Sequence, residues 1–156
     1  MFKQYKDKIN YSEIEKETLK FWQANNIFEK SISSRDESKP FAFYEGPPTA
    51  NGKPGLHHVI ARTLKDLVCR YKTLKGYRVS RKAGWDTHGL PVEIEVEKAL
   101  GIKSKSEIPE VGVAKYNAAC RESVFTYKDM WEEMTTRMGY WVNLEEAYVT
   151  CTNEYI

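Results

Sequence analysis

The apolar positions of this chain recur with two different periods, and the switches between them mark out its elements. Ile14, Thr18, Leu19 and Trp22 fall at three- and four-residue steps, the spacing of one helix face. Ser12 with Glu15 three residues on has the form of a capping box, so a helix is predicted to about Asn25. The polar stretch from Ser31 to Lys39 reads as a linker. Phe41-Ala42-Phe43-Tyr44-Glu45, bounded by Pro40 and Gly46, reads as a short strand. A loop rich in Gly and Pro runs from Gly46 to Gly55, and Leu56, Ile60, Leu64, Leu67, Tyr71 and Leu74 then restore the helical period until Gly76 ends it.

Tyr77-Arg78-Val79-Ser80-Arg81 is a second predicted strand, leading into a loop from Ala83 to Gly89. Pro91 stands where a helix begins, and Gly101 where it ends. Strand, helix and strand in this order form a β-α-β unit long enough for two parallel strands, and such sheets bind ligands at the carboxyl ends of their strands. Val113, Tyr116, Cys120, Val124, Tyr127, Trp131, Met134 and Met138 are read as the core-packing stripe of one long helix with Gly139 beyond it. The last residues before Ile156 are predicted to be helical as well. The expected fold class is α/β, with an N-terminal helical arm and linker over 1–39, the β-α-β unit over 40–101 and a helical continuation over 102–156.

Composition narrows the class. The chain has 156 residues, 41% of them hydrophobic, enough for a globular core, and no run of about 18 apolar residues that would suit a membrane helix. The formal charge of +2 hides a local excess. Arg62, Lys65, Arg70, Lys72, Lys75, Arg78, Arg81 and Lys82 stand against the single acid Asp66; such a run suits phosphate or nucleic acid, and equally suits an ordinary solvated helix face. Cys69, Cys120 and Cys151 lack the spacing of a structural zinc site. Their odd number, with no apolar leader after Met1, points to a reducing, cytoplasmic setting.

Candidate chemistry gathers at the two loops that leave the strands. His57, His58 and His88 all lie there. In "NGKPGLHHVIAR" the adjacent histidines open a helix, whose free N–H groups and partial positive charge favour phosphate. A nucleotide-handling pair, a metal site and a solvated helix end are the three readings of His57-His58. In Gly84-Trp85-Asp86-Thr87-His88-Gly89-Leu90-Pro91, the Asp86 carboxylate is suited to a cation. A phosphate site beside an ammonium site is the layout for activating an amino acid.

The stretches "YEGPPTANGKPGLHH" and "GWDTHGLPVEIEVEKALGI" resemble isoleucyl-tRNA synthetase, a class I aminoacyl-tRNA synthetase, and the likeness continues through "RMGYWV" and "YVTCTNEYI". The resemblance implies the first half of a Rossmann-like catalytic domain that uses ATP with Mg²⁺, isoleucine and tRNA(Ile), with no metal site in this stretch and no membrane partner. It implies that Gly46 and Pro47 line the amino-acid pocket, that Asp86 holds the substrate α-ammonium group, and that His88 belongs to the same pocket. Pro48, Thr49, Ala50, Asn51, Gly52, Gly55, Leu56, His57 and His58 fall on the family's ATP-binding stretch, with His57 and His58 as the catalytic candidates.

Two departures from the family pattern stand out. The family's "HIGH" signature is here Gly55-Leu56-His57-His58, so glycine and the first histidine have changed places and only His58 keeps its position. On a regular helix residues 57 and 58 point about 100° apart, so His57 does not simply replace the first histidine. The flexible entry through Gly52, Pro54 and Gly55 is expected to let both imidazoles reach one phosphate. The second departure is length, since the family's editing insertion, KMSKS loop and anticodon-binding region have no counterpart here. Ile102-Lys103-Ser104-Lys105-Ser106 echoes that loop but is read as a solvent-exposed turn. Three functions fit: an N-terminal part of an isoleucine-tRNA ligase, inactive alone; a nucleotide- or amino-acid-binding pseudo-enzyme; and a non-functional truncated copy.

Overall fold

The computed structural model describes residues 8–156; the first seven residues of the expected N-terminal arm, with the reading of the stretch after Met1, lie outside them. Helix α1 spans Tyr11–Ala24 and α2 Ile27–Ser33, followed by strand β1 at Asp36–Tyr44. Helix α3 is Leu56–Leu74, β2 is Tyr77–Trp85 and α4 is Leu90–Leu100. A 3₁₀ turn at Lys105–Glu107 leads into α5 at Ile108–Val111, α6 at Val113–Ser123, α7 at Lys128–Arg137 and β3 at Asn143–Val149. The strands form one sheet in the order β1-β2-β3, parallel throughout. Among the described residues no helix is long and apolar enough to cross a membrane.

The α/β class and the parallel β-α-β unit stand as the sequence predicts, and several boundaries do not. Asn10, not Ser12, caps α1, its side chain accepting the Glu13 N–H at 3.4 Å. The expected linker contains the last turn of α2, from Ser31 to Ser33, and the first residues of β1. Strand β2 continues through Ala83, Gly84 and Trp85, all buried, where a loop is expected. The predicted long helix is two, α6 and α7. Between them the Tyr127 N–H donates to Ala50 O at 3.1 Å, so that it joins the β1–α3 loop in place of a helical carbonyl. The expected terminal helix is instead β3 and a turn, and Ile102 is buried against Val96 and Tyr116, with only Lys103 to Ser106 exposed.

The orientation of α3 is not given by its spacing. Its apolar stripe faces out, with Leu56, Ile60, Leu64, Leu67, Tyr71 and Leu74 each more than half exposed, while Arg62, Cys69 and Thr73 are buried. The inward face is a polar lattice. Asp66, the one acid of the basic run, accepts from Arg70 Nε at 2.6 Å and Arg81 Nη1 at 3.3 Å. Arg81 also donates to Thr73 Oγ1 at 2.8 Å, and Arg70 to Gly139 O at 2.6 Å. The basic run is therefore not a single solvated face: burial of a charge is tolerated where partners replace water, and these partners come from β2 and from the turn after α7.

Candidate active site

The loop between β1 and α3 emerges at the carboxyl end of the sheet and lies beside the end of β2. A parallel bridge joins Thr49 to Asp86, and the Asp86 N–H donates to Pro48 O at 3.0 Å. The two loops expected to carry the chemistry are thus held together by main chain. Beside them is a cleft of about 430 Å³ whose lining includes Gly46, Pro48, Thr49, Asn51, Gly52 and His58 from the predicted set. Glu45, Lys53, Arg62, Lys65 and Trp131 line it too.

His58 is held on three sides. Its Nδ1 accepts the Gly55 N–H at 2.8 Å while its own N–H returns to Gly55 O at 3.0 Å, the reciprocal bonding of a helix N-terminus. Because Nδ1 is an acceptor, the neutral ring carries its proton on Nε2. Burial, then the charges of His57 and Arg62, lower the pKa of His58 below the ordinary histidine value. The His57 ring lies with its centroid 3.8 Å from that of His58. It folds back over Gly55, where an added Cβ would be only 3.0 Å from His57 Cε1. The two imidazoles therefore converge although their Cα–Cβ bonds diverge around the helix.

Asp86 is partly exposed at the end of β2. Its Oδ2 receives the Thr49 hydroxyl at 3.4 Å and its Oδ1 lies 3.2 Å from His88 Nδ1. Thr150, just after β3, binds that same His88 nitrogen at 2.8 Å and accepts the Thr87 N–H at 3.0 Å. The strand that sequence analysis overlooks thus braces the Asp86 loop. Ala50 is fully buried against Trp85 and Trp131, and Leu56 is exposed; neither lines the cleft, and nor do Pro47, Gly55 or His57.

Positive charge dominates the wall of the cleft. Glu45 is buried, takes a salt bridge from Lys65 and a hydrogen bond from the Tyr140 hydroxyl, and is thereby neutralised. Burial, with the bond to Glu45, drives the Tyr140 phenol far above its ordinary value. Arg62, 5% exposed, has no carboxylate within salt-bridge distance among the described residues. Its Nη1 donates to Thr135 Oγ1 at 2.6 Å and its guanidinium lies 5.0 Å from the centre of the Trp131 ring. Such a wall suits an anion. Arg62 and Lys65 follow His58 by four and seven residues on one helix face, a spacing from which both were recoverable. Trp131 and Thr150 are brought in from afar, and no local pattern marks them.

The family model of class I tRNA synthetases (I, L, M and V) matches residues 17–156. The chain belongs to this family. It is 53% identical over all 156 residues to the isoleucine–tRNA ligase of Dehalococcoides mccartyi (strain CBDB1), and 55% identical over 148 residues to that of Bacteroides thetaiotaomicron. It spans 15% and 13% of the length of these two relatives. Among solved structures it is similar to the agnB2 LeuRS of Agrobacterium radiobacter K84, solved in a ternary complex with tRNA and LeuAMS. That likeness has a TM-score of 0.59 and 21% identity and covers 90% of this chain and 16% of that one. The shared fold makes the parallel sheet that of a class I synthetase. In this chain the Gly55-Leu56-His57-His58 turn opens α3, at the end of the loop in which Thr49 is bridged to Asp86.

Proposed function

We propose that this chain is the N-terminal part of the catalytic domain of an isoleucine–tRNA ligase, acting in the cytoplasm. In this reading a carboxylate oxygen of isoleucine attacks the α-phosphorus of ATP, pyrophosphate leaves, and the adenylate then passes its acyl group to tRNA(Ile) with release of AMP. The reading rests on one observation above all. His58 Nδ1 accepts the Gly55 N–H, which leaves Nε2 as the position able to donate, and His58 lines a cationic cleft whose Thr49 hydroxyl bonds the Asp86 carboxylate.

Each end of the site has its task. Asp86 binds the isoleucine α-ammonium group, a charged hydrogen bond worth about 1.5 to 3 kcal/mol. His88 steadies the Asp86 carboxylate, and Gly46 and Pro47 give the amino acid its backbone wall. The Pro48 to His58 turn receives ATP, which brings Mg²⁺ with its phosphates. His58 and His57 donate to the phosphoryl oxygens as negative charge accumulates there, the stage at which a fixed donor is most effective. Lys53 and Arg62 keep the surroundings positive, Lys65 being paired with Glu45.

Isoleucine-dependent exchange of pyrophosphate into ATP, measured on the full-length protein, tests this reading. Exchange with isoleucine that falls on His58→Ala substitution is the expected result. ATP binding without exchange would favour the pseudo-enzyme, and exchange driven by a different amino acid would overturn the assignment of substrate. The isolated 156-residue chain is expected to show no exchange.

A further inference from the structure

We infer that Trp131 is a positioning residue for the phosphate-handling turn, holding His58 and the β1–α3 loop in their working geometry from the first turn of α7. This inference rests on the proposed role of His58. Two tryptophans share the same core cluster, each 2% exposed, and they use their indole N–H groups differently. The Trp85 N–H has no hydrogen-bond partner among the described residues, so Trp85 gives the loop no polar support. The Trp131 N–H donates to Gly52 O at 2.8 Å. One turn earlier the Tyr127 N–H donates to Ala50 O. The start of α7 therefore clamps the loop at two carbonyls, flanking Asn51, in a segment whose glycines would otherwise leave it mobile.

The same ring fixes His58. The two ring centroids are 4.5 Å apart at an interplanar angle of 62°, an edge-to-face contact. With Nδ1 bonded to Gly55, Trp131 against one side and His57 3.8 Å away, the imidazole has few other orientations open to it. Arg62 is tied to the same residue twice. Its guanidinium lies over the indole, and it bonds Thr135, whose hydroxyl donates to Trp131 O at 2.7 Å. Loop, histidine and buried cation thus share one support. Placement errors of about 1 Å in such groups cost rate far more than they cost binding.

The test is a double-mutant cycle in the full-length protein, read by isoleucine-dependent pyrophosphate exchange. Trp131→Leu is expected to lower kcat towards the level of His58→Ala, about 10²-fold, with KM for isoleucine little changed. The Trp131→Leu/His58→Ala double variant is then no slower than His58→Ala alone, because both changes remove the same contribution. Trp131→Phe keeps the ring edge on His58 and loses the bond to Gly52, so kcat is largely rescued while KM for ATP rises about fivefold. Losses that multiply in the double variant would make Trp131 core packing only. If Trp131→Leu does not fold, an unchanged KM for ATP in Trp131→Phe overturns the inference by itself. A His58→Ala protein with normal kcat would instead remove the role of His58, a failure distinguishable from that of Trp131.

Discussion

Substitution at the exchanged pair tests whether His57 works. His57→Ala removes an exposed ring that makes no hydrogen bond among the described residues, so folding stability should change by less than about 0.5 kcal/mol. If both converging imidazoles donate to the transferring phosphoryl group, the same substitution removes one transition-state donor, worth about 10² to 10³ in rate, or about 2.7 to 4 kcal/mol. Gly55→Ala approaches the same point from the other side. The backbone at Gly55 is extended, at φ −115° and ψ 172°, so alanine fits without strain and costs only a weaker helix cap, about 0.5 to 1 kcal/mol. Its Cβ, however, would stand 3.0 Å from His57 Cε1 and 3.1 Å from Nδ1, and the exposed imidazole must swing away. Both variants are therefore expected to bind ATP nearly normally and to slow isoleucine-dependent pyrophosphate exchange, with the double variant close to His57→Ala. Wild-type exchange kinetics for His57→Ala would refute the reasoning and leave His58 as the working histidine.

Three other outcomes follow from the geometry. Asp86→Asn should raise the KM for isoleucine by about tenfold or more while leaving that for ATP within about twofold, since one charged hydrogen bond is lost; equal rises would make Asp86 structural. Gly84→Ala would drive a Cβ into the Tyr148 ring and displace the hydroxyl that bonds Glu45 O. An overpacking cost of about 1 to 3 kcal/mol plus about 1 for the hydrogen bond should appear as a lower urea midpoint. Because the folded state lowers the pKa of His58, the unfolded chain takes up the proton first as pH falls. Stability contributed by neutral His58 is then complete above the unfolded value of about 6.5 and is lost below it. A His58→Gln protein should show less destabilisation between about pH 6.5 and 5 in chemical denaturation.

The strand, loop and helix that carry His57 and His58 were legible because each is a local pattern bounded by Gly or Pro. Strand β3 was not, since Leu144-Glu145-Glu146-Ala147 breaks the alternation and its pairing with β2 shifts register between Lys82 and Gly84. The break between α6 and α7 is likewise set from outside, by the bond from Tyr127 to Ala50 O. Periodicity gave α3 its length but not its orientation, because it reports an apolar face without saying what that face meets. In the site, the residues joined by main chain, Pro48, Thr49 and Asp86, lay on recognisable loops. Trp131 and Thr150 depend on long-range packing that no spacing records. Arg62 was visible as a charge, but its burial was not.

For these 156 residues taken by themselves, the outward apolar stripe of α3 has a calorimetric consequence. Apolar surface exposed on unfolding raises the heat capacity and polar surface lowers it, by about 0.45 and 0.26 cal/K/mol per Å² respectively. The polar bonds of the inward face of α3 run from Asp66 and Thr73 to Arg81 of β2, from Arg62 to Thr135 of α7 and from Arg70 to Gly139 O, while the leucines of α3 are exposed. Separating this helix from the sheet therefore releases less heat-capacity increment than its 19 residues suggest. Its local stability curve is flatter for it, changing little on cooling and answering to ionic strength more than to temperature.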